Sequence, residues 1–368
     1  MSGFLRFFCL LLLYFDESSA DFLPSCRCRQ EIAAFFFSDF PSGMLYCIGK
    51  KILDKIRETR MNICMTAAYD GSRFAGWQKN KNTGGKRALQ DIFELVLSDY
   101  FGQSVKVTAA GRTDAGVSAL GQVLNFHIQN GKPALQGAVP EIQNASEQPY
   151  PAAKGQCRSR VPVQFHSAAQ EQALCGALNR ALQAALSESE KNAAAVRAVR
   201  IVPERFHSRF DAIGKTYLYL MDERERPHVF TRACAFPAGG ALDVNAMRSA
   251  AAFMTGTHDF RAFTSLSETA KGCRSTIRTI TELSIDRITA GPCRVPLLCI
   301  TVTGDGFLYH AVRILAGTLY EVGTGKRSVV SIAELFGTDA RRSEAGMLLP
   351  GEALFLKEVY YQDCRTKS

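Results

Sequence analysis

The chain has 368 residues, 46% of them hydrophobic and 21% charged, with a formal net charge of +9. So much apolar surface excludes a disordered chain, and the length exceeds what one core usually supports, so two or more subdomains are expected. Residues 1–60 hold 8 basic and 7 acidic side chains, which leaves the positive excess in the remainder and favours a polyanionic partner.

Residues 1–60 open with the apolar run FLRFFCLLLLYF, Phe4 to Phe15. It is too short to span a bilayer, which takes roughly 20 residues, and it resembles a weak signal peptide. The alternative, adopted here, is translation from an upstream start, with Met61 opening the functional protein. A cytoplasmic protein without a membrane segment is then expected. The twelve cysteines are dispersed, and only Cys26 and Cys28 lie close together, so they read as reduced thiols and not as a metal site.

Met61–Tyr69 has strand character, and YDGSRFAGWQ follows as a glycine-rich turn holding the only tryptophan, Trp77. Leu89, Ile92, Phe93, Val96 and Tyr100 recur at helical spacing between Lys86 and Phe101. Val105, Val107 and Ala109 alternate as a strand does, and Leu124, Phe126 and Ile128 resume the alternation beyond a charged turn. Residues 130–168 mix Pro, Gly, Gln and Ser without period and read as an inserted loop.

Gln170–Leu186 returns to helical spacing, and Ala194–Val202 is a strand. Gly214–Met221 alternates strictly, with Tyr217, Tyr219 and Met221 on one face. Asp243 caps a helix running to Met254, GTHDFRAF reads as a loop, and Ser275–Ile288 and Val295–Thr303 read as neighbouring strands. The segment GDGFLYHAVRILAGTLYEVG sets Leu308, Val312, Leu315 and Leu319 on one helical stripe and Tyr309, Arg313, Gly317 and Tyr320 on another. Strands alternating with helices predict an α+β, mixed-sheet architecture in two halves, 61–200 and 201–368.

The charged turn, GRTDAG, places Arg112 and Asp114 between Gly111 and Gly116. Taken alone it reads as well as a self-capping aspartate with an arginine paired elsewhere on the surface. The glycines admit backbone angles that other residues resist, so the turn can also present both charges to a cleft.

The motifs YDGSRFAGWQ, AGRTDAGVSALGQVLNFH, FHSRFDAIGKTYLYL, GTHDF and GFLYHAVRILAGTLYEVGTGK, in this order and spacing, resemble the TruA family of tRNA pseudouridine synthases over most of residues 61–361. The resemblance implies a pseudouridine synthase fold, two similar halves of mainly antiparallel mixed sheet flanked by helices around a basic central cleft. It implies isomerisation of uridine to pseudouridine in the anticodon stem-loop of tRNA, by a homodimer that uses no cofactor and no metal. Asp114 matches the catalytic aspartate; a carboxylate can attack as a nucleophile or abstract a sugar proton, and the residue types alone leave both open. Arg112 matches the arginine that fills the space of a flipped nucleotide, and Tyr217 the tyrosine that packs on the target base. Arg313 matches the arginine paired with the carboxylate, which a buried cation keeps ionised.

Asp70, Arg73, Trp77, Gln78, Lys79, His207, Arg209 and Lys215 are expected to contact RNA or support the site. Three departures stand out: Ser118 where the family usually has histidine, the long 130–168 insertion, and MLLPGEALFL with Ala353 at a usual glycine. The rival readings are a noncatalytic RNA-binding or RNA-folding protein on the same scaffold, and the same reaction on another RNA.

Overall fold

The computed structural model describes residues 60–78, 85–129, 168–266, 275–290 and 294–362. The N-terminal extension, Lys79 and nearly all of the 130–168 insertion lie outside these residues. The first strand, β1 (Arg60–Tyr69), is followed by a short 3-10 turn, Gly71–Arg73, capped by Asp70, whose carboxylate accepts from the Ser72 amide at 3.0 Å. Helix α1 (Leu89–Phe101) buries Leu89, Ile92, Phe93, Val96, Leu97 and Phe101, the face the periodicity predicts, and ends on Gly102 in the left-handed conformation.

Next come β2 (Val107–Ala109) and the longer β3 (Ser118–Gln129), paired antiparallel, with the charged turn between them. Helix α2 (Ala168–Ala185) packs on α1 and on β4 (Ala194–Val202). Strand β5 (Ala212–Asp222) carries the aromatic face, and the short β6 (Phe236–Pro237) pairs with its end. Asp243 caps α3 (Val244–Met254) by accepting from the Ala246 amide, as expected. Then follow β7 (Gly256–Asp259), β8 (Ile277–Ala290), β9 (Val295–Gly304), α4 (Ala311–Gly323) and β10 (Leu354–Tyr361).

The strands form one sheet in the order β4-β1-β3-β10-β5-β9-β8-β7, with β2 attached to β3 and β6 to β5. Pairing is antiparallel except for β10 with β3 and β6 with β5. This is an α+β fold with a mixed, mainly antiparallel sheet, the architecture expected from the sequence. Helices α1 and α2 pack together by the early strands; α3 and α4 pack together, α3 on β8 and α4 on β5. The sheet crosses residue 200 unbroken, and β10 joins its two sides at the centre. Among the described residues no helix is long and apolar enough to cross a membrane.

Two buried carboxylates lock loops to this frame. Arg87 hydrogen-bonds Glu190 and holds its carboxyl at about 2, below the ordinary 4.5. Arg224 does the same for Asp222, also to about 2. Folded values below unfolded ones give stability that is present above the ordinary carboxylate range and is lost as pH falls through the folded values. The melting temperature is therefore expected to hold from neutral pH to about 5 and to drop toward pH 2, and Arg87→Met should flatten part of that drop in a calorimetric pH series.

Candidate active site

Residues 110–117 cross between β2 and β3. Thr113 turns inward, 6% exposed, and its hydroxyl meets the Tyr69 hydroxyl at 2.8 Å. Gln122 donates to that phenol oxygen at 3.2 Å and to the Gly111 carbonyl at 2.8 Å. Burial pushes the Tyr69 hydroxyl up to about 12, so it remains a proton-bearing partner. The Trp77 amide donates to the Thr113 carbonyl at 2.9 Å while its indole stacks on Phe93, tying the turn to the α1 core. Gly116, at φ +85°, supplies the left-handed residue that closes the turn. Gly111 has no such backbone need; a side chain there would press on the Lys215 ammonium group.

With Thr113 anchored, Arg112 and Asp114 face the other way. Asp114 Oδ2 accepts from Arg313 Nη1 at 3.2 Å, and His310 Nε2 stands 3.4 Å from the same oxygen. Oδ1 has no hydrogen-bond partner among the described residues, and the Asp114 side chain keeps 27% exposure. Arg313 is fixed at a second point, Nε donating to the Leu349 carbonyl at 2.7 Å. Leu349 belongs to the strap that leads into β10, the stretch that departs from the family pattern. Tyr219 Oη donates to Pro350 O, and Gly351 lies against the Ala115 carbonyl.

The sequence suggests that Gly317 lets Arg313 approach the turn. It serves the strap instead: a Cβ at Gly317 would lie 1.9 Å from the Met347 carbonyl oxygen. Alanine is the better helix former by about 1 kcal/mol, yet Gly317→Ala should destabilise by about 2–3 kcal/mol in chemical denaturation, because the strap backbone must move.

A cavity of about 530 Å³ opens over the turn. Among the described residues, Arg112, Arg209, Lys215, Arg278 and Arg313 line it, with Asp114 as the one lining carboxylate. Arg112 is exposed and forms no ion pair or hydrogen bond among the described residues. Lys215 reaches the Ala110 carbonyl at 2.8 Å, and burial, with Arg209 nearby, pulls its ammonium below the ordinary range. Tyr217, 8% exposed, lies edge-to-face with Phe307 at 5.2 Å. Burial first, then the neighbouring Tyr69 and Asp114, raises the Tyr217 phenol, so it stays neutral.

The cavity thus brings together Asp114, Arg313, Tyr217, Arg112, Trp77, Gln78, Arg209 and Lys215. It does not include Asp70 and Arg73, whose charged groups lie 3.6 Å apart on the surface. His207 stacks on the exposed Phe210 beyond the lining, and Lys79 lies outside the described residues. Ser118 is buried and its hydroxyl accepts from the Gly71 amide at 3.0 Å, an internal brace and not a surface contact.

The family described as tRNA pseudouridine synthase matches residues 65–167 and 250–362, which carry Asp114 and Arg313. The chain is similar to tRNA pseudouridine synthase A of Acetivibrio thermocellus, 33% identical over 302 residues, 82% of this chain and 99% of that protein. Its likeness to the proteins of the same name from Geobacter sp. and Bacillus subtilis is 35% and 32%, over 82% of this chain and 99% and 100% of theirs. The chain belongs to the TruA family of tRNA pseudouridine synthases.

TruA enzymes are isomerases, and so is this one. Within this TruA chain, the residues to which sequence reasoning gave no place at the site are His310, Phe307, Tyr309 and Arg278. All four line the cavity. The first three stand in the quoted GFLYHAVR motif, the only signal for His310 and Phe307, whereas Tyr309 also shares a helical stripe with Arg313.

Proposed function

We propose that the chain isomerises uridine to pseudouridine in the anticodon stem-loop of tRNA, with Asp114 as nucleophile. The observation that carries this reading is a carboxylate over a cation-lined cavity with one oxygen held by Arg313 and the other uncommitted among the described residues. The relatives are named for action on tRNA, and a cavity with five cations among its described residues suits a phosphate chain.

The reaction breaks the bond between uracil N1 and the sugar C1′, rotates the base and joins its C5 to C1′; C5 gives up its proton and N1 takes one up from solvent. Substrate and product are isomers, and no electrons enter or leave. Oδ1 of Asp114 attacks the sugar C1′ as the N1–C1′ bond breaks, and C5 of the rotated base displaces it from C1′ as the new carbon–carbon bond forms. Arg112, free of partners among the described residues, enters the gap left by the flipped nucleotide, which offsets part of a cost of a few kcal/mol. Tyr217, backed by Phe307, offers a flat neutral face to the detached base. Arg209 and Lys215 hold phosphates, and Gln78 the flanking nucleotides; Asp70, Arg73, Lys79 and His207 are left for the outer rim.

Residues 61–200 supply Arg112 and Asp114, and residues 201–368 supply Tyr217 and Arg313, so the two halves complete one site. A cytoplasmic homodimer gripping a single anticodon arm belongs to the same proposal; it rests on the family resemblance, and a dimeric mass in light scattering checks it. The test of substrate is an unmodified tRNA transcript incubated with the full chain and mapped for pseudouridine. Modification confined to the anticodon stem-loop supports the proposal. Modification only elsewhere, or binding without modification, overturns it in favour of another RNA target or a binding protein.

A further inference from the structure

We infer that His310 is a positioning residue for Asp114: as a neutral imidazole it offers its Nε2 proton to Oδ2, so that His310 and Arg313 together fix that oxygen and leave Oδ1 for attack. The inference rests on reading Asp114 as the nucleophile.

Three observations carry it. His310 Nε2 lies 3.4 Å from Oδ2, an ion-pair distance without the geometry of a formed hydrogen bond, and such contacts tighten when substrate closes a site. His310 Nδ1 is buried with no partner among the described residues. A proton on Nδ1 would bury an orphan donor, whereas a proton on Nε2 faces a carboxylate, so the geometry selects the Nε2–H tautomer. Finally, His310 sits just before α4 at φ +67°, a conformation unusual outside glycine, and this turn delivers the ring to Asp114 with Tyr309 stacked on it at 3.7 Å.

The charged groups facing the ring are Asp114 from the turn, Arg313 from its own helix and Arg342 from the segment before the strap. Burial, reinforced by the two arginines and opposed by Asp114, pulls the imidazole below the ordinary histidine range. The ring is therefore neutral at physiological pH. Protonation at lower pH would set a second full cation on Asp114 and weaken it as a nucleophile.

The test is single-turnover pseudouridine formation on tRNA by the full chain, His310→Ala and His310→Gln, with Asp114→Asn alongside. Glutamine places an amide N–H near the position of Nε2 and does not titrate. His310→Ala should lose on the order of 10- to 100-fold in rate, with tRNA affinity within about threefold. His310→Gln should recover most of that loss. The parent rate should fall as acid titrates His310, below the ordinary histidine range, and His310→Gln should lack that fall.

Parental rate and pH profile in His310→Ala overturn the inference, as does a folded His310→Gln, of parental melting temperature and tRNA affinity, that is as slow as His310→Ala. If His310→Ala does not fold, the pH profile of His310→Gln decides alone: retention of the parent's acid fall overturns the inference. Activity surviving in Asp114→Asn would instead overturn the nucleophile reading beneath it.

Discussion

Asp114→Asn should bind tRNA within about threefold of the parent and form no detectable pseudouridine, a loss on the order of 10⁴-fold or more. The separation follows from what holds the turn. Thr113, with Tyr69 and Gln122, the Trp77 amide and Gly116 fix its backbone, and none of these depends on the Asp114 side chain. Asparagine keeps the shape and an oxygen for Arg313, so the cavity and its cations persist. What disappears is a negatively charged oxygen able to form and release a bond to carbon. Filter binding and single-turnover assays on one preparation measure the two quantities; retention of a tenth of the parental rate would remove Asp114 from the chemistry.

Arg313→Met is expected to lower the single-turnover rate by about 10²- to 10³-fold, and Arg313→Lys to recover only part of it. The guanidinium works at two points, Nη1 on Asp114 and Nε on the Leu349 carbonyl, and so fixes the carboxylate relative to the strap. A lysine brings the charge without the fork. Methionine also strands the Leu349 carbonyl, at a cost of about 1–2 kcal/mol in a denaturation curve. Full rate in Arg313→Lys would mean that charge alone matters and that the two-point geometry does not.

Most of the frame was legible where one face of an element is buried. β1 and β5 show the period of two, and α1, α2 and α3 the helical period, because a single apolar side meets the core in each, whereas β9 buries Leu297, Leu298, Cys299 and Ile300 in succession. β10 was not read, although it holds the centre of the sheet. A register shift between Leu356 and Glu358 puts Lys357 and Glu358 outward in succession, which breaks the alternation of LFLKEVYY. β7 was read as loop because its four residues, Gly256–Asp259, have a turn-like composition; their pairing to β8 is a tertiary fact. The two stripes expected of α4 merge, since the helix is buried nearly all round.

At the site, Asp114, Arg112, Tyr217 and Arg313 came from motif membership, and the structure brings them to one cavity. Motif membership also nominated Asp70 and Arg73, which pair with each other outside it. His310 had no spacing partner to mark it. Its contact with Asp114, 196 positions away, is made by a left-handed turn that no periodicity announces. The purpose of Gly317 was equally hidden, because the Met347 carbonyl it admits comes from a strap without regular structure.

The most direct test is tritium release from tRNA carrying uridine labelled at carbon 5, incubated with the full chain and with Asp114→Asn. Carbon 5 loses its hydrogen only when the new carbon–carbon bond replaces it. The predicted result is release by the parent, equal to the pseudouridine formed, and none by the variant. Tight tRNA binding with no release from either would contradict an Asp114-dependent isomerase and leave an RNA-binding protein on the same scaffold.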